Sequence, residues 1–139
     1  MGNYQVQATF VKDQIYLNQA VPQPINIDFN EAAAPGAAST FLASLASCKL
    51  VSLLELKEKY KMQIDEAQVL VNGVTGRGEL IEGTHIPSSR FLSIEFIFRV
   101  KSNQTDEELW DYLKYVNGAC TMGNSLSEKI DINYRIDRI

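Results

Sequence analysis

STFLASLASCKLVSLLEL, residues Ser39 to Leu56, decides the fold. Phe41, Leu42, Leu45, Ala46, Leu50, Val51, Leu53, Leu54 and Leu56 fall on every side of a helical period, with Cys48 among them. Only Lys49 and Glu55 interrupt with charge. A helix that is apolar all round is buried all round. A chain of 139 residues has trouble achieving that alone. The helix must therefore cross the domain centre or lie under a second subunit. Ser39 is the expected N-cap. Lys57, Glu58, Lys59 and Lys61 mark the emergence into solvent, with the helix ending near Tyr60. Upstream, residues 32–38 read AAAPGAA, a loop in which Pro35 and Gly36 keep the helix from extending backwards.

Outward from this helix the chain alternates. Tyr4, Val6, Ala8 and Phe10 keep the period of a half-buried strand. A turn at Lys12 to Gln14 leads to Ile15-Tyr16-Leu17, and Ile25, Ile27 and Phe29 alternate after a proline-punctuated loop, which predicts an antiparallel meander. Beyond the helix, Ala67, Val69 and Val71 open a longer strand. Gly73, Gly76 and Gly78 predict a bulge or bend in it. Leu92, Ile94, Phe96, Phe98 and Val100 share one face of the next strand. Thr105-Asp106-Glu107-Glu108 is a capping box. The helix it opens carries Leu109, Leu113 and Val116 on one face and is expected to stop at Asn117-Gly118, with a second short helix from about Cys120. Ile130, Ile132, Tyr134 and Ile136 alternate in a terminal strand. The reading is a single α+β domain over residues 1–139, mostly antiparallel.

Composition narrows the function. A hydrophobic fraction of 45%, a charged fraction of 22% and a net charge of -4 describe an ordinary acidic globular chain. The 13 basic residues are spread out, which argues against a nucleic-acid partner. Two cysteines are too few for a secreted disulfide scaffold. MGNYQVQATF lacks the basic start and apolar run of a signal peptide. The longest charge-free stretch, Ala32 to Cys48, is broken by Pro35 and Gly36 and is too short to span a bilayer. The expectation is a cytoplasmic protein with reduced thiols and no membrane association. No CxxC or HxxxH pattern suggests a metal, and no cofactor is expected. His85, beside Pro87, reads as a loop histidine. The Gly76-Arg77-Gly78-Glu79 run lacks the rest of a phosphate loop.

The cysteines carry what chemistry there is. Cys48 is mid-helix, where pattern alone favours a small core hydrophobe. Cys120 follows a helix-ending glycine and precedes another helix. There, unpaired N–H groups and the dipole would lower a thiol's pKa, and pattern alone leaves its role open.

Taken together, the two cysteine segments resemble those of the OsmC/Ohr family. Ser39 to Leu56 is similar to the family's central helix, with small residues and leucines, then a cysteine, then an apolar continuation. Cys120-Thr121-Met122-Gly123-Asn124-Ser125-Leu126 is similar to its second cysteine segment, which ends in Asn-Ser-Leu. His85, Pro87 and the Phe-rich strand after them are similar to the OsmC-like branch, and the likeness runs from about Ala32 to the end. The resemblance implies an intertwined homodimer of α+β subunits, with antiparallel sheets wrapped around paired central helices and the site at the interface. It implies that Cys48 is a peroxidatic thiolate that reduces an organic hydroperoxide and becomes a sulfenic acid. Cys120 would resolve this to a disulfide, and a dithiol reductant would restore both thiols.

Two departures qualify that picture. Active members of the family use an Arg from the N-terminal part to stabilise the thiolate and a Glu shortly before the first cysteine to orient it. Here no Arg precedes Arg77, and Ala38 and Ser39 stand where the Glu would fall. Lys12 from the N-terminal hairpin, Glu31 from upstream, or Arg77, Arg90 or Arg99 from the later strands or the partner chain could supply such charges. The alternative is therefore a non-catalytic OsmC-like dimer that binds a small apolar molecule or responds to redox state through a Cys48–Cys120 disulfide. The apolar surroundings of Cys48 favour organic hydroperoxides over hydrogen peroxide.

Overall fold

A computed structural model describes residues 36–139 in full and, before them, the backbone of three strands. The chain divides into two compact units, Met1–Phe41 and Leu42–Ile139. In the first, β1 (Gln7–Val11), β2 (Gln14–Asn18) and β3 (Ile25–Ile27) form an antiparallel meander in the order β1-β2-β3. Tyr4, Val6, the turn at Lys12, Phe29, Glu31 and the loop residue Pro35 lie outside the described residues.

The central helix α1 spans Ala37–Leu56. It begins directly after Gly36, so Ser39 lies inside its first turn and is not the N-cap. Thr40 donates from both N–H and Oγ1 to the Gly36 carbonyl, which closes the first turn of the helix. The chain leaves the helix through a turn at residues 57–61, where Lys61 takes a positive φ of 56°.

The second unit is built on a three-stranded sheet, β4 (Glu66–Leu80), β5 (Pro87–Lys101) and β6 (Asp131–Arg138), in the order β4-β5-β6. β4 and β5 form the expected long hairpin. Its register shifts at Val74/Thr75 and at Arg77/Leu80, within the glycine-rich stretch that predicted a bend. At Gly76 a Cβ would lie 2.5 Å from Leu92 Cδ1, so a side chain there would have to displace Leu92.

β6 is a correction to the antiparallel reading, because it pairs with β5 in parallel. The cause is the crossover. Residues 102–130 carry α2 (Asp106–Ala119) and α3 (Thr121–Asn124) and return the chain to the end where β5 began. A parallel neighbour needs such a connection, and a tight turn cannot supply it. Sequence alternation is the same for both pairings, so it does not tell them apart.

The core lies on one face of this sheet. Ile94, Phe96, Phe98 and Val100 of β5 meet Leu45 and Leu53 of α1 and Leu109, Tyr112, Leu113 and Val116 of α2, all buried. Burying each large apolar side chain stabilises the fold by about 1.5–3 kcal/mol. The Tyr112 hydroxyl donates to the Leu53 carbonyl and ties α2 to α1. Burial pushes Tyr112 up to about 12. α2 starts as read: Thr105 accepts from Glu108 N–H, and the Glu108 carboxylate accepts from Thr105 N–H. It ends later than read, because Asn117 and Gly118 remain helical and the chain turns only at Cys120.

Helix α1 reverses the usual relation between polarity and burial. Its buried residues are Leu45, Lys49, Ser52 and Leu53, while Phe41, Val51 and Leu54 are exposed. By length and composition it also meets the bare requirement for a membrane span. Yet Lys49 and Ser52 face the protein and Val51 and Leu54 face outwards. The prediction that α1 is apolar and buried on every side therefore fails for a single chain.

Thr105→Ala removes the hydroxyl that accepts from Glu108 N–H and keeps the backbone N–H that donates to the Glu108 carboxylate. It should lower the unfolding free energy by about 1 kcal/mol. This is checked by urea titration, with a lower midpoint and an unchanged slope.

Candidate functional site

Leu45, Lys49 and Leu53 are four residues apart and form one stripe on α1. Two of them are core leucines, so the third position is a core position as well. Lys49 occupies it with 1% of its surface exposed. Cys48 precedes it, about 100° around the helix, and is partly exposed. One residue type at one position in the stripe thus brings an ammonium group into the interior beside a thiol.

The second thiol comes from the α2–α3 junction. Cys120 caps the end of α2 and the start of α3, and its φ of -81° and ψ of 98° break the helix between them. Its side chain is fully buried, and Sγ accepts from Gly123 N–H at 3.3 Å. Asn124 Nδ2 donates to the Gly118 carbonyl at 3.0 Å and holds the turn closed. Both cysteines are free thiols.

These elements converge on the Lys49 ammonium. Nζ donates to Asn117 Oδ1 at 2.8 Å. It stands 4.9 Å from the centre of the Phe96 ring and 5.5 Å from that of Tyr134, two rings stacked on each other at 5.4 Å. A Cβ at Gly123 would lie 2.7 Å from Nζ and 3.3 Å from Cys120 Sγ. Glycine there lets the short helix close over both groups. Among the described residues, no carboxylate forms an ion pair with Lys49.

The electrostatics follow from burial. Removal from water pulls the Lys49 ammonium below its ordinary range, opposed first by Cys120 and then by Cys48. Burial pushes the Cys120 thiol up, and a hydrogen bond with Cys48 pushes it the same way. The Gly123 N–H and the Lys49 charge act in the opposite direction. Tyr134 is also raised, by burial and then by Cys120. The dipole expected to activate Cys120 thus does not outweigh desolvation, since α3 has only four residues.

Cys48 and Cys120 both act on the charge of the Lys49 ammonium. Lys12 and Glu31 lie outside the described residues. Arg77 and Arg99 are exposed, and Arg90 donates to the Phe91 and Lys129 carbonyls and to Glu79. His85 is exposed in the β4–β5 turn. Sequence reading passed over Lys49 and Asn117. Lys49 looked like a break in an apolar run, yet its place midway between Leu45 and Leu53 was the available signal.

Fold and sequence comparisons agree on the class. The sequence profile of OsmC-like proteins matches residues 30–135, and the chain belongs to that family. No curated protein matches the chain. An OsmC-like protein from Mycoplasma pneumoniae superposes with a TM-score of 0.84 at 17% identity, covering 99% of this chain and 98% of its own. An organic hydroperoxide resistance protein OsmC from Legionella pneumophila has a TM-score of 0.77 at 9% identity, covering 99% and 98%. An organic hydroperoxide resistance protein from Elizabethkingia anophelis has 0.74 at 14% identity, covering 100% and 98%. At these identities the likeness is one of fold.

Exposure separates the thiols. Under native conditions iodoacetamide should alkylate Cys48 about tenfold faster than Cys120, or more. Peptide mass spectrometry over a time course measures the order.

Proposed function

We propose that this protein is a thiol-dependent reductase of organic hydroperoxides, working through Cys48 and Cys120. The observation that carries the reading is the buried Lys49 ammonium set between two free thiols. A buried ammonium without a carboxylate is costly, and a thiolate is the anion best placed to offset it. Cys48 is the partly exposed thiol, so a peroxide reaches it first. Its thiolate attacks the O–O bond, takes the terminal hydroxyl as a sulfenic acid and releases an alcohol. Cys120 is dry and adjacent, which suits it to displace water from that sulfenic acid and close the disulfide. A dithiol reductant returns both thiols. Free thiols of this kind belong in a reducing compartment, and we place the protein in the cytoplasm.

The working form on this reading is a homodimer. Phe41, Val51 and Leu54 on α1 are exposed large apolar side chains, as are Leu70 and Val74 on β4. A second copy covering α1 would bury them and leave Cys48 in an apolar setting at the interface. That setting favours alkyl or lipid hydroperoxides over hydrogen peroxide.

A stoichiometric assay with cumene hydroperoxide tests the activity. The reduced parent should consume about one equivalent per Cys48–Cys120 pair, and Cys48→Ser none. Cys120→Ser should consume peroxide and accumulate a dimedone-reactive sulfenic acid at Cys48. Equal consumption by Cys48→Ser and the parent removes the assignment. If diamide closes the disulfide while hydroperoxide does not, the protein is a redox-responsive dimer and not a peroxidase.

The assembly is tested separately. Sedimentation equilibrium should give twice the 15.6 kDa chain mass. Leu54→Asp should shift the protein towards monomer, by placing a charge where a partner helix packs.

A further inference from the structure

Lys49 has a buried Nζ with one neutral acceptor at 2.8 Å, two aromatic faces, two thiols and no carboxylate partner among the described residues. A lysine kept only as a permanent positive charge would be better served by a carboxylate. An arginine in its place would stay charged under all conditions. An ammonium that interacts with two thiols whose protonation changes during the reaction is placed to exchange protons with them. Among the described residues, the titratable groups facing it are Cys48 on the same helix, Cys120 from the α2–α3 junction and Tyr134 from β6. Asn117 from α2 and Phe96 from β5 also face it and carry no charge.

We propose that Lys49 is the proton shuttle of the cysteine pair, giving a proton to the leaving oxygen in each half-reaction and taking one from Cys120 between them. This rests on the hydroperoxide reading above and assigns the proton traffic within it. In the first half, the Cys48 thiolate attacks the terminal oxygen of the hydroperoxide. The S–O bond forms and the O–O bond breaks. Sulfur is oxidised to the sulfenic acid, and the alkoxide takes a proton from the Lys49 ammonium to leave as alcohol. Lys49 is then a neutral amine beside the protonated Cys120. In the second half, that amine takes the Cys120 proton. The new thiolate attacks the Cys48 sulfenic sulfur, the S–S bond forms and the S–O bond breaks. The departing hydroxide takes a proton from Lys49 and leaves as water. The sum is one thiolate, one thiol, one ammonium and one hydroperoxide converted to a disulfide, an alcohol, water and an amine, with charge conserved.

Burial makes both directions accessible. Lys49 is held below its ordinary range and Cys120 above its own, so the gap between them narrows. Disulfide formation removes both groups that favoured the ammonium and leaves the amine in an apolar site. The protonation state of Lys49 therefore follows the redox state of the pair.

Two measurements on the full chain test this. First, the Lys49 side chain is followed by 13Cε and 15Nζ NMR, assigned with Lys49→Met, in the dithiol form and in the disulfide form made with diamide. Its titration midpoint should fall by about one pH unit or more on oxidation. An unchanged midpoint overturns the proposal. Second, Lys49→Arg and Lys49→Met are compared with the parent in single turnovers with cumene hydroperoxide. Lys49→Arg keeps the charge and holds its proton. It should form the sulfenic acid more slowly than the parent, because water must protonate the alkoxide. It should close the disulfide about tenfold or more slowly still, because Cys120 also lacks its base, with dimedone-reactive Cys48 accumulating. Lys49→Met should slow both phases. Closure in Lys49→Arg at the parental rate and pH dependence overturns the shuttle. A parent that consumes no hydroperoxide overturns the activity itself. A fixed NMR midpoint with normal consumption overturns only the role of Lys49.

Discussion

The site depends on one unfavourable act, the burial of the Lys49 ammonium in the stripe that Leu45 and Leu53 would otherwise complete. Desolvation of such a group costs several kcal/mol even after relaxation. The surrounding structure is arranged to offset it. Asn117 gives an oxygen at the end of α2, Phe96 and Tyr134 turn π-faces towards the charge, and Cys120 is held within its field. A desolvated cation over an aromatic face gains about 2 kcal/mol or more.

That arrangement explains local features that look unrelated along the chain. The break between α2 and α3 is needed because Asn117 and Cys120 must both point to the same nitrogen, from either side of a helix end. Gly123 is needed because any larger residue would enter the space between the ammonium and the thiol. β6 runs parallel to β5 through the crossover that carries this junction, and so places Tyr134 beside Phe96. The site is thus assembled from α1, the α2–α3 turn and two neighbouring strands of one sheet.

Much of the fold was legible in the chain because local patterns carried it. The capping box at Thr105, the alternation of Ile94, Phe96, Phe98 and Val100, and the glycine-marked bend in β4 each express a short-range constraint. The two cysteines were legible as a pair only through resemblance, since nothing in their spacing of 72 positions implies contact. The direction of β6 was not legible, because alternation has no sense of parallel or antiparallel. Nor was the outward face of α1. Its composition says that apolar groups will be covered, and a single chain leaves Val51 and Leu54 in water.

The sequence by itself determined that this is an acidic α+β chain with a long apolar helix through Cys48, a second cysteine at a helix junction, and no arginine in its N-terminal half. These follow from composition and from periodicities of a few residues, which act over one turn or one strand. Only the tertiary structure decided that, among the described residues, Lys49 is the charge beside the thiols. Whether a lysine in an apolar helix snorkels to water or turns inwards depends on what stands opposite it. Here Asn117, Cys120, Phe96 and Tyr134 stand opposite, brought there from 47 to 85 positions further along the chain.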